Sequence, residues 1–119
     1  MTVTIKRAHE EPSTEDGYRV LVDRLWPRGI SKDRAHLDQW LKDVAPSTEL
    51  RRWFHADEGS FDEFAARYRD ELTTNPAVDQ LRDILAAHPV VTLVYAAKTP
   101  HDRSHAAVLA AYLGLTPSV

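Results

Sequence analysis

Arg24 and Arg28 flank Trp26-Pro27 within the stretch Asp23-Arg24-Leu25-Trp26-Pro27-Arg28-Gly29. Arginine presents a planar fork that fits phosphate or carboxylate, and an indole presents a stacking face. Pro27 stiffens the loop, Gly29 permits a tight turn, and Lys32 follows as a further cation. The pattern suits a rigid loop offering guanidinium groups to an anion. It equally suits Trp26 as a core plug, with its arginines paired to surface acids. Asp23 can serve as a general base, as a metal ligand, or as the carboxylate that holds an arginine; the last of these is the commonest role.

Two more segments carry reactive side chains. In Ser47-Thr48-Glu49-Leu50-Arg51-Arg52-Trp53-Phe54-His55, Arg51 and His55 stand four apart and share one face of a short helix. Ser47 and the amides after it can receive an anion, or Ser47 can act as an ordinary helix cap. Further on come Lys98, His101, Asp102, Arg103 and His105. His101 and His105 have metal-compatible spacing, but no Glu-x-x-His pattern supports a centre, so no metal or other cofactor is assigned. His105 reads as a hydrogen-bonding or proton-moving residue, and with Asp23 it forms the catalytic candidate pair. The ligand-binding candidates are Arg24, Trp26, Arg28, Lys32, Ser47, Arg51, His55 and Lys98. The acidic pairs Asp57-Glu58 and Asp70-Glu71 read as solvated faces, without the spacing argument of a two-carboxylate hydrolase. No glycine-rich phosphate loop and no nucleophile elbow is present.

The whole chain is acidic although these segments are cationic. Its 119 residues hold 15 Lys plus Arg against 18 Asp plus Glu, a net charge of −3, which excludes a generically basic nucleic-acid-coating protein. There is no cysteine, so disulfides, thiolate metal sites and a thiol nucleophile are excluded. The start lacks the apolar stretch of a signal peptide, and no apolar run approaches the ~18–20 residues of a membrane span. The expectation is a single cytoplasmic domain over residues 1–119, a monomer or weak homodimer with no membrane partner.

The elements that must position these side chains alternate in kind. Val3 to Ala8 and Tyr18 to Leu25 read as strands. Val90 to Ala97 reads as a central strand, because its apolar β-branched run suits burial on both faces of a parallel sheet. Ser31 can cap a helix reaching Val44, with Leu37, Trp40, Leu41 and Val44 inward. Ser47 or Thr48 opens a short helix through Phe54. Ser60 with Glu63 opens one lined by Phe61, Phe64, Ala65, Tyr68 and Leu72. Asn75-Pro76 opens one with Leu81, Ile84 and Leu85 inside, and Thr99-Pro100 opens the last, which Gly114 stops. Trp40, Phe64 and Tyr68 read as packing. The fold class is α/β: a small, mostly parallel sheet of three to four strands with helices on both faces. The short connection from His9 to Gly17 leaves room for one antiparallel hairpin.

The run Gly17 to Lys32 resembles the signature of the YeaO-like proteins, a bacterial family without assigned function. Ala45 to His55 is similar to that family's second signature, and Tyr95 to Lys98 with His105-Ala106 to its third. The resemblance covers nearly the whole chain and implies a small cytoplasmic α/β protein. It points to Asp23, Arg24, Trp26, Arg28, Lys32, Ser47, Arg51, His55, Lys98 and His105. Departures from the pattern are Ala56 in place of a second His, Ser104 in place of an Asn, and no Cys near the third strand. They speak against metal or thiol chemistry. In open α/β sheets ligands bind outside the carboxyl ends of the strands, and cations follow all three expected strands: Lys6, Arg7 and His9, then Arg24, Arg28 and Lys32, then Lys98, Arg103 and His105. The reading is a cationic cleft for a small phosphate- or carboxylate-bearing ligand, with enzymatic activity left undecided. The alternatives are a non-enzymatic nucleic-acid or protein interaction module, nucleic acid being disfavoured by charge, and a charged cluster that serves only the fold.

Overall fold

A computed structural model describes residues 2–55, 60–96 and 104–115, with the backbone alone at His55. Four strands form one sheet in the order β1-β4-β2-β3. These are β1 (Thr2–Arg7), β2 (Tyr18–Leu21), β3 (Gln39–Trp40) and β4 (Val90–Tyr95). Every pairing is parallel, so the first connection is a crossover and no hairpin forms. Strand β4 lies between β1 and β2, with Ile5 and Val20 both in register with Leu93. Its apolar run is explained by burial from Val91 to Tyr95.

The two faces of the sheet are covered unequally. Val3, Ile5, Val20, Val22, Val91, Leu93 and Tyr95 belong to the main core. The helices against them are α2 (Thr48–His55), α3 (Phe61–Thr73), α4 (Ala77–Ala87) and α5 (His105–Tyr112). Their caps follow local chemistry: Ser60 accepts from the Glu63 amide at 3.2 Å, and Asn75 Oδ1 accepts from the Ala77 amide at 2.9 Å. On the opposite face Ala8, Leu21 and Val94 form a small cluster under Trp26, Ile30 and Leu37. Here the cover is mostly loop, with one short helix, α1 (Lys32–Ala35).

The β1–β2 crossover is pinned by charge. Asp16 and Arg19 are 4 % and 3 % exposed. Arg19 Nη1 lies 2.5 Å from Asp16 Oδ2, Lys6 Nζ lies 2.9 Å from Oδ1, and Arg19 Nη2 donates to the Ala35 carbonyl. Thr92 on β4 donates to the Asp16 carbonyl at 2.7 Å. Burial alone would push the Asp16 carboxyl up. The Ser13 amide, Lys6 and Arg19 outweigh it and hold the carboxyl below its ordinary value.

Two expected elements are corrected. The strand after Gly17 ends at Leu21, although Val22 remains buried. The helix expected from Ser31 to Val44 stops at Ala35, where His36 turns left-handed at φ 49°. Asp38 then ties the chain to β2: its amide donates to the Arg19 carbonyl, and its carboxylate accepts from the Arg19 amide at 2.8 Å. Pairing with the open edge of β2 satisfies backbone groups that a helix there would leave bare, and it overrides the helical spacing. Trp40 therefore sits on an edge strand, 40 % exposed, and is not core packing. The last described helix runs from His105 and is capped by Ser104. Thr99 and Pro100 lie outside the described residues.

Candidate functional site

The carboxyl ends of β2 and β4 meet the start of α5. Asp23 follows β2, and its Oδ2 accepts from the Ala96 amide at 2.9 Å, which joins the two strand ends. His105 is the first residue of α5. Its Nε2 lies 2.8 Å from Asp23 Oδ1 and 3.1 Å from the Val22 carbonyl oxygen. Both neighbours are acceptors, so the network places the hydrogen on Nε2. That hydrogen aims at the Val22 carbonyl, and Asp23 Oδ1 is buried without a well-angled hydrogen bond of its own. The imidazole stands edge-on to two buried tyrosines, with ring centroids 6.3 Å from Tyr68 and 6.2 Å from Tyr95.

These tyrosines carry polar duties within the core. The Tyr68 hydroxyl donates to the Val44 carbonyl at 2.6 Å. Burial, with Glu71 and Asp23 nearby, pushes the Tyr68 phenol far above its ordinary value, against a smaller opposing effect of Arg24. Burial also raises the Tyr95 phenol, partly offset by Arg7 and by its hydrogen bond to Ser104.

Arg24 reaches the chain just before α2. Its Nε and Nη2 donate to the Pro46 and Ala45 carbonyls, each at 3.2 Å. Ser47 caps α2 by accepting from the Leu50 amide at 3.1 Å. The amide and hydroxyl of Ser47 both donate to Glu71, at 2.9 and 2.5 Å. The start of α2 thus holds an anion already, and it is the protein's own Glu71.

Asp23, Arg24, Ser47 and His105 therefore come together around Tyr68. Arg51 is half-buried on α2. Trp26, Arg28 and Lys32 belong to the loop on the opposite face. Trp26 donates to the Ile30 carbonyl at 2.7 Å and packs on the smaller cluster, while Arg28 and Lys32 are exposed. Lys98, His101 and the side chain of His55 lie outside the described residues. The sequence reading missed Tyr68, Tyr95, Ser104 and Trp40 as parts of this region. A tyrosine in a stripe otherwise filled by Phe, Ala and Leu was a usable signal, because a buried hydroxyl demands a partner.

Chemically, the site offers an Asp–His pair with one imidazole nitrogen anchored. No activated nucleophile accompanies it among the described residues: the Tyr68 hydroxyl serves Val44, Ser47 serves Glu71, and Ser104 caps α5. Nor does any group of three metal-ligating side chains occur among the described residues. Neither Arg24 nor Arg51 is paired with a carboxylate among the described residues. Ion pairs among the described residues include Lys6–Asp16, Arg19–Asp16 and His105–Asp23.

Comparison with known proteins places the chain among uncharacterised relatives. Residues 2–116 match the family described as the inactive DUF488-N3 subclade. The uncharacterized protein Rv3073c of Mycobacterium tuberculosis is 52% identical over 112 residues, covering 93% of this chain and 92% of that protein. The uncharacterized protein YeaO of Escherichia coli is 43% identical over 114 residues, covering 95% and 97%. No solved structure matches the chain.

Proposed function

Because the chain belongs to the inactive DUF488-N3 subclade, the YeaO-like family, we propose that it is a single cytoplasmic domain that binds a small anionic ligand without turning it over. The ligand sits at the carboxyl ends of β2 and β4, beside Asp23, Arg24, Arg51 and His105. Lys98 belongs to the same strand end by sequence. The observation that carries this reading is the pairing of charges. A cluster serving only the fold would pair its arginines with its acids. Instead Asp23 is engaged by an amide and His105, Glu71 by Ser47, and Arg24 by carbonyl oxygens. The positive charges of Arg24 and Arg51 are left for a ligand to meet. The lack of an activated nucleophile among the described residues and the word "inactive" in the family's description both favour binding over catalysis. Support for a cytoplasmic location is the absence of cysteine, and no helix among the described residues is long and apolar enough to cross a membrane.

The test is a thermal-shift series with inorganic phosphate, sugar phosphates, nucleotides and dicarboxylates. A ligand at 100 times its Kd adds about 2.7 kcal/mol, a rise on the order of 10 °C for a domain of this size. Arg51→Ala should keep the unliganded melting temperature within about 2 °C, since nothing described pairs with that side chain, and should lose most of the ligand-induced rise. Arg24→Ala should lower both, because it also releases two carbonyls. If no anion raises the wild-type melting temperature, the reading fails.

A further inference from the structure

The two edges of the sheet are unlike. At one edge β3 is two residues long, and Lys42 stands over its Trp40 ring, a short and charged form that resists further pairing. At the other edge β1 is six residues long, has no proline and keeps unbroken register with β4. Lys6, the one lysine on that strand, is drawn onto Asp16 at 2.9 Å and does not guard the edge.

In a parallel ladder, alternate residues of a strand turn both backbone groups to the neighbour. The Thr2 and Ala8 amides donate to the Pro89 and Tyr95 carbonyls, so the even-numbered residues of β1 are the ones that face β4. Val3, Ile5 and Arg7 turn their amides and carbonyls away from the sheet. Glu10 closes the edge at Arg7: its carboxylate accepts from the Arg7 amide, and its amide donates to the Arg7 carbonyl, each at 3.1 Å. The outward groups of Val3 and Ile5 meet no hydrogen-bond partner among the described residues. Both residues are buried, so these groups see little water and need a partner.

We propose that β1 pairs antiparallel with β1 of a second copy, joining two four-stranded sheets edge to edge. The two-fold axis passes beside Thr4. Val3 then exchanges both backbone bonds with Ile5 of the second copy, and Ile5 with Val3, which meets every open group and leaves the capped Arg7 alone. Thr4 faces Thr4 and Lys6 faces Thr2, so no like charges oppose, and the Val3–Ile5 pairs extend the buried face. An axis at Val3 would set Ile5 beyond the end of the opposite strand, and one at Ile5 would spend Val3 on Arg7. An axis at Lys6 would oppose two ammonium groups. The fit is that of the strand to itself, which selects a second copy over a foreign peptide. Strands this short bury less than the roughly 800 Å² per partner of a standard interface, so the dimer is weak and forms with rising concentration.

The experiment is sedimentation of the full chain from micromolar to millimolar concentration, with amide hydrogen exchange read by NMR over the same range. The average mass should rise towards that of two chains. Exchange at Val3 and Ile5 should slow in step with it, and exchange at Arg7 should not change. Thr4→Lys places like charges on the axis and should weaken association about fivefold or more. Its melting temperature should hold, because Thr4 is only half-buried, on the face opposite Val3 and Ile5. Thr4→Glu should weaken association likewise, and an equimolar mixture of the two variants should restore it, which damage to the fold would not do. A mass that stays that of one chain at every concentration overturns the proposal, as does association that Thr4→Lys leaves intact. Val3 and Ile5 amides equally protected at every dilution also overturn it, since the chain itself would then cover the edge.

Discussion

Asp16 is a carboxylate whose burial is tolerable only because two cations and an amide converge on it. Replacing it by Asn leaves the Arg19 guanidinium, 3 % exposed, facing a neutral amide. Breaking one side of such a pair costs about 3–5 kcal/mol, so Asp16→Asn should lower the urea midpoint sharply. The carboxyl is held below its ordinary value, so the unfolded chain takes up its proton first as pH falls. Its contribution is complete above about pH 4 and is lost as pH drops through the lower folded value. Urea titrations from pH 6 downward should show this loss in the wild type and lack that component in Asp16→Asn. The tryptophans belong to the same scale. Sequence spacing leaves Trp26 open between a stacking ring and a core plug and reads Trp40 as buried; the structure settles Trp26 inward and Trp40 outward. Trp26 has a loop carbonyl and an apolar cluster to settle on, while Trp40 stands on an edge strand.

At the level of elements, Gly17 shows how tightly the crossover hugs the sheet. It has φ +64°, and a Cβ there would collide with the Val90 carbonyl. Gly29 also has a positive φ, +76°, but nothing lies within 4 Å of the corresponding position. Gly17→Ala should therefore destabilise by about 3 kcal/mol or more, and Gly29→Ala by only about 1 kcal/mol of backbone strain. Equal losses in chemical denaturation would mean that the close approach to β4 is not what fixes Gly17. The strand Val90–Tyr95 was legible because both its faces are buried, and α3 because Ser60 and the Phe64-Ala65-Tyr68-Leu72 stripe agree. Residues 36–44 were not legible. Their helical spacing is real, but the hydrogen bonds of Asp38 to Arg19 and of Leu41 to Leu21 are long-range and leave no local signature. Within the site, Asp23 and His105 could be picked out because each follows or faces a strand end. Their contact across 82 positions depends on a sheet order that no spacing encodes.

On the scale of the whole molecule, an all-parallel sheet gathers every strand's carboxyl end along one edge. The chain is acidic overall, with a net charge of −3, yet the stretch after β2 carries Arg24, Arg28 and Lys32 against Asp23. Structural ion pairing is concentrated elsewhere, around Asp16 on the face covered by the short crossover. On the proposed reading, arginines without carboxylate partners leave one end of the sheet to a ligand. The measurement that bears most directly on this is an amide-correlation NMR titration with AMP. The account predicts saturable shifts confined to Asp23, Arg24, Leu25, Arg51, Ala96, His105 and Ala106, with Asp16, Arg19 and the α4 amides unmoved. No shifts at millimolar ligand, or shifts centred on another part of the molecule, would contradict it.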